Sequence, residues 1–412
     1  MVHAHPTASR QNRGCRPQRF LFLFSDTGGG HRAASQAVKG EMERLYGRAT
    51  AVEMVDIFAA LDRWPFDRFP AWYPTFVGLN GIPWGVGYHL SNGVKAVKTM
   101  SKLVWPYART PLCDFLARHP ADVIVSFHPI PNYALFLGLR RLGRSTPVVI
   151  VTLDLVTAHA GWFVPGAAAY IVPTDAAKAR ALNWGVPEHR IRVVGMPTRH
   201  SFLVSMNLSK AEARARLALP GDRPIVLVAG GGEGMGPMAQ VVRAVARQRP
   251  RAHLVAITGR NDALREELAQ ADLPVAVQIE GFVSNMEVWM RAADILVTKA
   301  GPNTLAEAFI AGLPLVLYAA LPGQEEGNVD HVVENGAGLW APLPRTAARA
   351  VVRLLDDPVT RVRMSRCSQA LAHPFATEEI ARTLWHLASD RVGPCPGLRD
   401  AERATDALRQ ST

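Results

Sequence analysis

A run of alternating phenylalanine and leucine, Phe20-Leu21-Phe22-Leu23-Phe24, stops at Ser25-Asp26-Thr27 and three consecutive glycines, Gly28 to Gly30. From His31 to about Leu45, Ala34, Ala37, Val38, Met42 and Leu45 recur at helical spacing, and Ala51 to Phe58 reads as a second strand. Strand, glycine turn, helix, strand is the βαβ unit of a parallel sheet. The same order returns far downstream, where Ile225-Val226-Leu227-Val228 leads into the glycine-rich stretch Gly230 to Gly236.

Between and after these points the alternation continues. Val123 to Val125, Val148 to Val151, Tyr170 to Val172 and Ile191 to Val194 are strand-like, and so are His253 to Ile257, Val275 to Ile279, Ile295 to Thr298 and Leu313 to Tyr318. Pro197 to about Pro224 reads as a linker with one short helix, Lys210 to Leu217, and Pro344 to Ala388 reads as mostly helical. A chain of 412 residues has room for two or three domains. The expected fold class is α/β: two doubly wound, Rossmann-like halves facing each other across a cleft. The expected divisions are a flexible basic tail (1–18), a first domain (19–200), a second domain with terminal helices (201–392) and a polar tail (393–412).

Composition removes other classes. Four widely spaced cysteines with no CxxC pair exclude a disulfide framework and fit a reduced compartment. Val123 to Leu139 is broken by His128, Pro129, Pro131 and Asn132, so no stretch reaches the ~18 apolar residues of a spanning helix. The basic tail lacks the apolar core of a signal peptide. A net charge of +11 favours polyanions: nucleic acid, an anionic membrane face or phosphorylated substrates. No RNA- or DNA-binding module is visible. Leu61 to Thr110 gathers Trp64, Pro65, Phe66, Trp72, Trp84 and Trp105, and from Tyr88 to Thr110 carries Lys95, Lys98, Lys102 and Arg109 without an acid. Such a stretch is either a surface that docks on a membrane or an aromatic core with a solvated basic face.

The glycine turns carry the chemistry. Gly28-Gly29-Gly30-His31-Arg32-Ala33 matches G-x-G-x-x-A, with Asp56 near the end of the next strand, so an NAD-dependent oxidoreductase is one reading. Common to every reading is a helix N-terminus that favours anionic oxygens. His31 either caps the helix or acts as a catalytic base. Gly230 to Gly236 is either a flexible turn or a backbone surface that a ligand approaches closely. Lys299-Ala300-Gly301-Pro302-Asn303-Thr304 ends a strand and opens a helix, with Glu307 one turn inside it. Glu307 can accept from two ribose hydroxyls or can be a solvated acid. Gln324, Glu325 and Asn328 lie on a loop at the next strand end and suit the hydroxyls of a sugar.

These segments, Ser25 to Arg32, Gly230 to Pro237, Lys299 to Ala308 and Pro322 to Asn328, together with Ser126-Phe127-His128-Pro129 and Thr152 to Trp162, resemble the monogalactosyldiacylglycerol synthase family and its bacterial diacylglycerol glucosyltransferase relatives. The resemblance runs from about Arg19 to Leu387. It implies a GT-B fold and inverting transfer of galactose or glucose from a UDP-sugar to diacylglycerol, at the cytoplasmic side of a membrane. It implies His31 as the base, with Asp26 and His128 as weaker candidates, Asp26 as an orienting group. Donor contacts would come from Gly30, Gly231, Gly232, Arg260, Phe282, Val283, Gly301, Asn303, Thr304, Glu307, Gln324, Glu325 and Asn328, Phe282-Val283 holding the uracil and Arg260 lying by the phosphates. Acceptor and anionic-membrane contacts would come from the aromatic and basic stretch, with Trp162 near the acceptor. No D-x-D stands at a strand end near these motifs, so no metal and no cofactor is expected. Asn303 and Glu326 stand where the family usually has glycine and a small residue. A UDP-N-acetylglucosamine transferase or epimerase of cell-wall synthesis, which shares the fold, and a non-catalytic lipid-surface module are the remaining alternatives.

Overall fold

The computed structural model describes residues 16–27, 29–68, 71–72, 82–234 and 236–392. The polar tail 393–412 and nearly all of the basic tail fall outside the described residues, as do Gly28 and Met235.

Among the described residues two six-stranded sheets form, and every strand pairing is parallel. The first contains β1 (Gln18–Phe24), β2 (Thr50–Asp56), β3 (Val123–Ser126), β4 (Val148–Val151), β5 (Ala169–Val172) and β6 (Ile191–Val193), in the order β2-β1-β3-β4-β5-β6. The second contains β7 (Ile225–Ala229), β8 (His253–Ile257), β9 (Val277–Glu280), β10 (Ile295–Lys299), β11 (Leu315–Ala319) and β12 (Gly338–Trp340), in the order β12-β11-β10-β7-β8-β9. Central parallel strands are covered by helices on both faces and therefore read as unbroken apolar runs. Phe20 to Phe24 are accordingly all buried, as are all four residues of β3, β4 and β5.

Strand order decides where chemistry can sit. In an open parallel sheet the crevice for a ligand lies beyond the carboxyl ends of the two strands at which the winding reverses. In the first lobe those strands are β1 and β3, ending at the Ser25–Gly30 turn and at Phe127-His128. In the second they are β7 and β10, ending at the Gly230–Gly236 turn and at Lys299-Ala300-Gly301.

Several boundaries differ from the sequence reading. The strand expected to reach Phe58 ends at Asp56, whose carboxylate accepts from the N–H groups of Phe58 (3.0 Å) and Ala59 (3.2 Å) and starts the short helix Ile57–Ala60. The linker holds two helices, His200–Ser205 and Lys210–Arg216, the second opened by a reciprocal Ser209–Glu212 capping box. β12 has three residues, too few to show a period.

The terminal helix Ala376–Val392 was expected within the second domain but packs on the first lobe, against β1, β3 and the helix Gly30–Tyr46. Trp385 stacks on Tyr46 at 4.2 Å between ring centroids and 10° between planes, and Gln18 Nε2 donates to Ser389 Oγ at 2.9 Å. The chain thus crosses between lobes twice, and the crossings are joined. Thr377 Oγ1 accepts from Thr198 N–H (2.8 Å) and donates to the Thr198 carbonyl (2.7 Å). Gly195, at φ +108°, lies so close to His373 that a Cβ would stand 2.3 Å from that residue's own Cβ.

Removing the buried stack should loosen this closure. Trp385→Ala is expected to lower the unfolding free energy by about 3–5 kcal/mol, read by chemical denaturation, whereas Leu103→Ala, at an exposed site, should change it by less than about 0.5 kcal/mol.

Candidate active site

On the first lobe, Gly29 takes the left-handed conformation (φ 73°) that turns the chain from β1 into its helix, and His31 follows as the second helical residue. His31 Nδ1 lies 2.6 Å from the carbonyl of Phe127, just beyond β3. A carbonyl only accepts, so Nδ1 carries the proton and the neutral ring leaves Nε2 bare. His128 sits behind this ring, 4.6 Å away between centroids. Its Nδ1 accepts from the Ile130 N–H (3.3 Å) and its Nε2 faces Thr27 Oγ1 (3.3 Å). Burial pulls the His31 pKa down to about 4 against the opposing Phe127 hydrogen bond. Burial, with the neighbouring His31, holds His128 well below the usual histidine range. Both imidazoles are neutral near pH 7.

Other first-lobe candidates behave differently. The Asp26 carboxylate is held by Arg32, through Nε at 2.5 Å and through the terminal nitrogen, and this pair is exposed. His31 itself is oriented by the Phe127 carbonyl, while Asp26 ties its loop to the helix through Arg32. Asp56, the acid of the dinucleotide reading, is occupied as a helix cap and accepts from the Asp26 N–H at 2.9 Å. His128 is buried and Trp162 fully so, which removes both from the surface that meets a membrane. Trp162 lies 6.2 Å from the His31 ring and donates from Nε1 to Asp154 Oδ2 at 2.7 Å.

On the second lobe, the Gly230–Gly236 turn and the Gly259-Arg260 turn pack backbone to backbone. Arg260 N–H donates to the Gly232 carbonyl at 2.8 Å, and a Cβ on Gly259 would stand 2.2 Å from that same oxygen. The Arg260 guanidinium pairs with Glu233 (2.9 Å) and covers the Phe282 ring at 4.6 Å. Phe282 is 58% exposed, while Val283 beside it is half-buried against the core. Gly301 caps the helix Pro302–Ala311, with Pro302 at its first turn, so unpaired backbone N–H groups at Asn303 and Thr304 open beside the Gly231-Gly232 turn. Glu307, half-buried, makes no hydrogen bond to any described residue; burial pushes its pKa up to about 7, with Arg199 opposing and Glu287 assisting. Gln324 Nε2 donates to Asp154 Oδ1 at 2.9 Å, leaving its Oε1 enclosed and unpartnered among the described residues. Asn328 likewise donates to the Ala300 carbonyl (2.9 Å) and leaves Oδ1 unpartnered. Glu325 is buried with both oxygens engaged, by Lys299 Nζ at 2.6 Å and by the Leu321 N–H at 2.9 Å, so it meets the protein and not open space.

The two lobes touch at these same groups. Asn303 Nδ2 donates to the carbonyl of Gly30, directly before His31, at 3.1 Å. Thr157 Oγ1 donates to the Gln324 carbonyl at 2.5 Å, and Asp154 holds the Gln324 amide from the same lobe. Burial raises the pKa of Asp154, and the hydrogen bonds from Gln324, Trp162 and the His159 N–H oppose this. Asp154 and Lys299 carry no role in the sequence reading. The available signal was an acid within an apolar run at a sheet's carboxyl edge and a lysine at the end of a buried strand.

The aromatic and basic stretch is split by burial. Trp84 and Trp105 are half-buried, as are Pro65 and Phe66, the latter 5.9 Å from the Tyr107 ring. Trp64 (68%) and Trp72 are exposed. The helices Ile82–Ser91 and Val94–Arg118 expose Val86, Leu90 (77%), Met100, Leu103 (76%) and Val104 together with Lys95, Lys98 and Lys102. No helix among the described residues is long and apolar enough to cross a membrane.

Residues 31–198 match the family described as monogalactosyldiacylglycerol (MGDG) synthase, and residues 225–377 match the glycosyltransferase family 28 C-terminal domain. A probable monogalactosyldiacylglycerol synthase 2 of Oryza sativa subsp. japonica is 37% identical over 89% of this chain and 80% of its own length. The chain belongs to the monogalactosyldiacylglycerol synthase family. Monogalactosyldiacylglycerol synthase 3 of Arabidopsis thaliana is 33% identical over 90% of this chain and 82% of its own. Among solved structures, MnaA of S. aureus with UDP superposes with a TM-score of 0.58 at 15% identity, covering 89% of this chain and 96% of its own. MurG of Acinetobacter baumannii superposes at 0.56 and 16%, covering 90% and 100%. These likenesses carry the fold: two Rossmann-like domains in the GT-B arrangement.

The His31 geometry has a direct spectroscopic signature. Long-range ¹⁵N–¹H correlation at pH 6 is expected to show His31 neutral and protonated on Nδ1, where an ordinary histidine would be mostly charged. A charged ring or the Nε2-protonated form at pH 6 would contradict it.

Proposed function

We propose that this protein is an inverting hexosyltransferase that moves galactose or glucose from a UDP-sugar to diacylglycerol at a membrane surface. The observation that carries this reading is the facing of two sheet switch points. One bears an imidazole with a bare nitrogen, and the other bears a helix N-terminus beside an unspent carboxylate. Family membership adds the acceptor class, because the curated relatives are named for a galactosylated diacylglycerol.

In this mechanism the acceptor hydroxyl gives its proton to His31 Nε2 as its oxygen attacks the anomeric carbon. A base that must stay neutral suits an imidazole whose pKa is depressed by burial. The bond from the anomeric carbon to the diphosphate breaks, and its electron pair leaves with UDP. The N–H groups at Gly301–Thr304 and the Gly231-Gly232 turn meet the charge gained there, without resident cofactor or metal. Glu307 accepts from the ribose hydroxyls, and Phe282, Val283 and Arg260 enclose the uracil. The free Gln324 Oε1 and Asn328 Oδ1 accept from hexose hydroxyls. The Gln324 amide is held through Nε2 by Asp154, which leaves Oε1, enclosed in this structure and unpartnered among the described residues, as the end available to a sugar. The cell-wall transferase and epimerase alternatives rest on fold alone, at 15–16% identity. The dinucleotide alternative loses its acid to the Asp56 cap.

The acceptor stays in its bilayer, and the proposed docking surface is the exposed face of Leu90, Met100, Leu103 and Val104 with Trp64, Trp72 and the three lysines. Apolar and aromatic side chains enter the interface while each lysine contributes about 1 kcal/mol on an anionic surface.

His31→Ala is expected to lower transfer from radiolabelled UDP-galactose or UDP-glucose to lipid vesicles by at least about 10²-fold, with UDP affinity retained, and wild-type transfer to survive EDTA. Full activity in that variant removes the assigned base. Replacing Lys95, Lys98 and Lys102 together by Ala should weaken sedimentation with anionic vesicles by about 10²-fold, at ~1 kcal/mol each, and leave binding of UDP unchanged.

A further inference from the structure

The second-lobe site contains a charge that the mechanism above does not use. Lys299 ends β10, and its side chain is largely buried where the lobe's winding reverses. Its ammonium donates to Glu325 Oε1 at 2.6 Å, and two of its three N–H donors find no acceptor among the described residues. Glu325 is fixed in turn by the Leu321 N–H (2.9 Å), so the loop after β11 sets where the ammonium stands. A buried ammonium with unspent donors is costly unless something anionic completes its shell.

Two glycines show what surrounds it. A Cβ on Gly301 would lie 2.9 Å from Lys299 Nζ, and one on Gly231 would lie 3.8 Å from Lys299 Cε. The ammonium therefore stands between the backbone that opens the helix Pro302–Ala311 and the glycine turn after β7. Any side chain at Gly301 would fill the space in front of it. A helix N-terminus, a glycine turn and a lysine converging on one gap is a cradle for a polyanion.

We propose that Lys299, positioned by Glu325, is the protein's own cationic contact to the diphosphate of the donor and stabilises the charge that builds on the leaving nucleoside diphosphate. The inference rests on the donor-site reading above. No proton moves through Lys299: the carbon–oxygen bond to the phosphate breaks, the electron pair stays on the phosphate oxygen, and the ammonium meets it by hydrogen bonding. Glu325 acts through Lys299 and is a positioning residue, which replaces the direct hexose contact expected from its place in the loop.

The test compares uridine with UDP binding, by calorimetry or ligand-observed NMR, on the full chain. Wild type is expected to bind UDP at least tenfold more tightly than uridine. Lys299→Met leaves a buried carboxylate unpaired, so Lys299→Met/Glu325→Gln is made alongside it, and the fold of each is checked by circular dichroism. In the folded variants UDP affinity is expected to fall by tenfold or more and uridine affinity to stay within twofold, with kcat reduced. A UDP loss of less than tenfold, or an equal loss for uridine, overturns the role of Lys299 and leaves the donor site standing. A wild type that binds neither ligand overturns the donor-site reading itself.

Discussion

Parallel strands all end on the same side of a sheet, and the helices that follow them begin there. Every backbone N–H left over at a helix start, and every turn glycine, is thereby delivered to one edge. The protein has two such edges and closes them on each other. His31 and Gly301 are separated by most of the chain and share no local motif, and they meet through this closure, which the Asn303–Gly30 hydrogen bond pins beside His31. Once the sheets are wound in the observed orders, the reversal points coincide with the two glycine turns, and the remaining chemistry is a matter of which side chains occupy that gap.

Within the gap, burial sets the protonation states. Burial lowers the pKa of both His31 and His128, and the Phe127 carbonyl sets which nitrogen of His31 is bare. Burial pushes the Glu307 pKa up to about 7 against the opposing charge of Arg199. The lobes add a second layer of control. Asp154 belongs to the first lobe but holds the Gln324 amide of the second, so the orientation of that amide is defined only when the lobes meet.

Much of this was legible in the residues. Phe20 to Phe24 announced a strand, and the glycine turns announced the helix starts, because both follow from local rules of burial and backbone conformation. The position of His31 was readable for the same reason. What was hidden depended on contacts across long separations. Asp26 lies five residues before His31, yet its charge is taken by Arg32, six residues on in the helix that follows the glycine turn. Glu325 looked like a free loop acid, and only the fold reveals Lys299 beneath it. Trp162 was expected near the acceptor, and the acid that holds its indole N–H, Asp154, has no periodic signature. The return of the terminal helix to the first lobe was likewise invisible, since an amphipathic helix does not state which sheet it will cover.

The two crossings of the chain lie side by side, and Thr377 binds them through a single hydroxyl to both polar groups of Thr198. They act as the spine of a book. Relative movement of the two covers is therefore constrained where the crossings meet, at Thr198 and Thr377, far along the chain from either glycine turn.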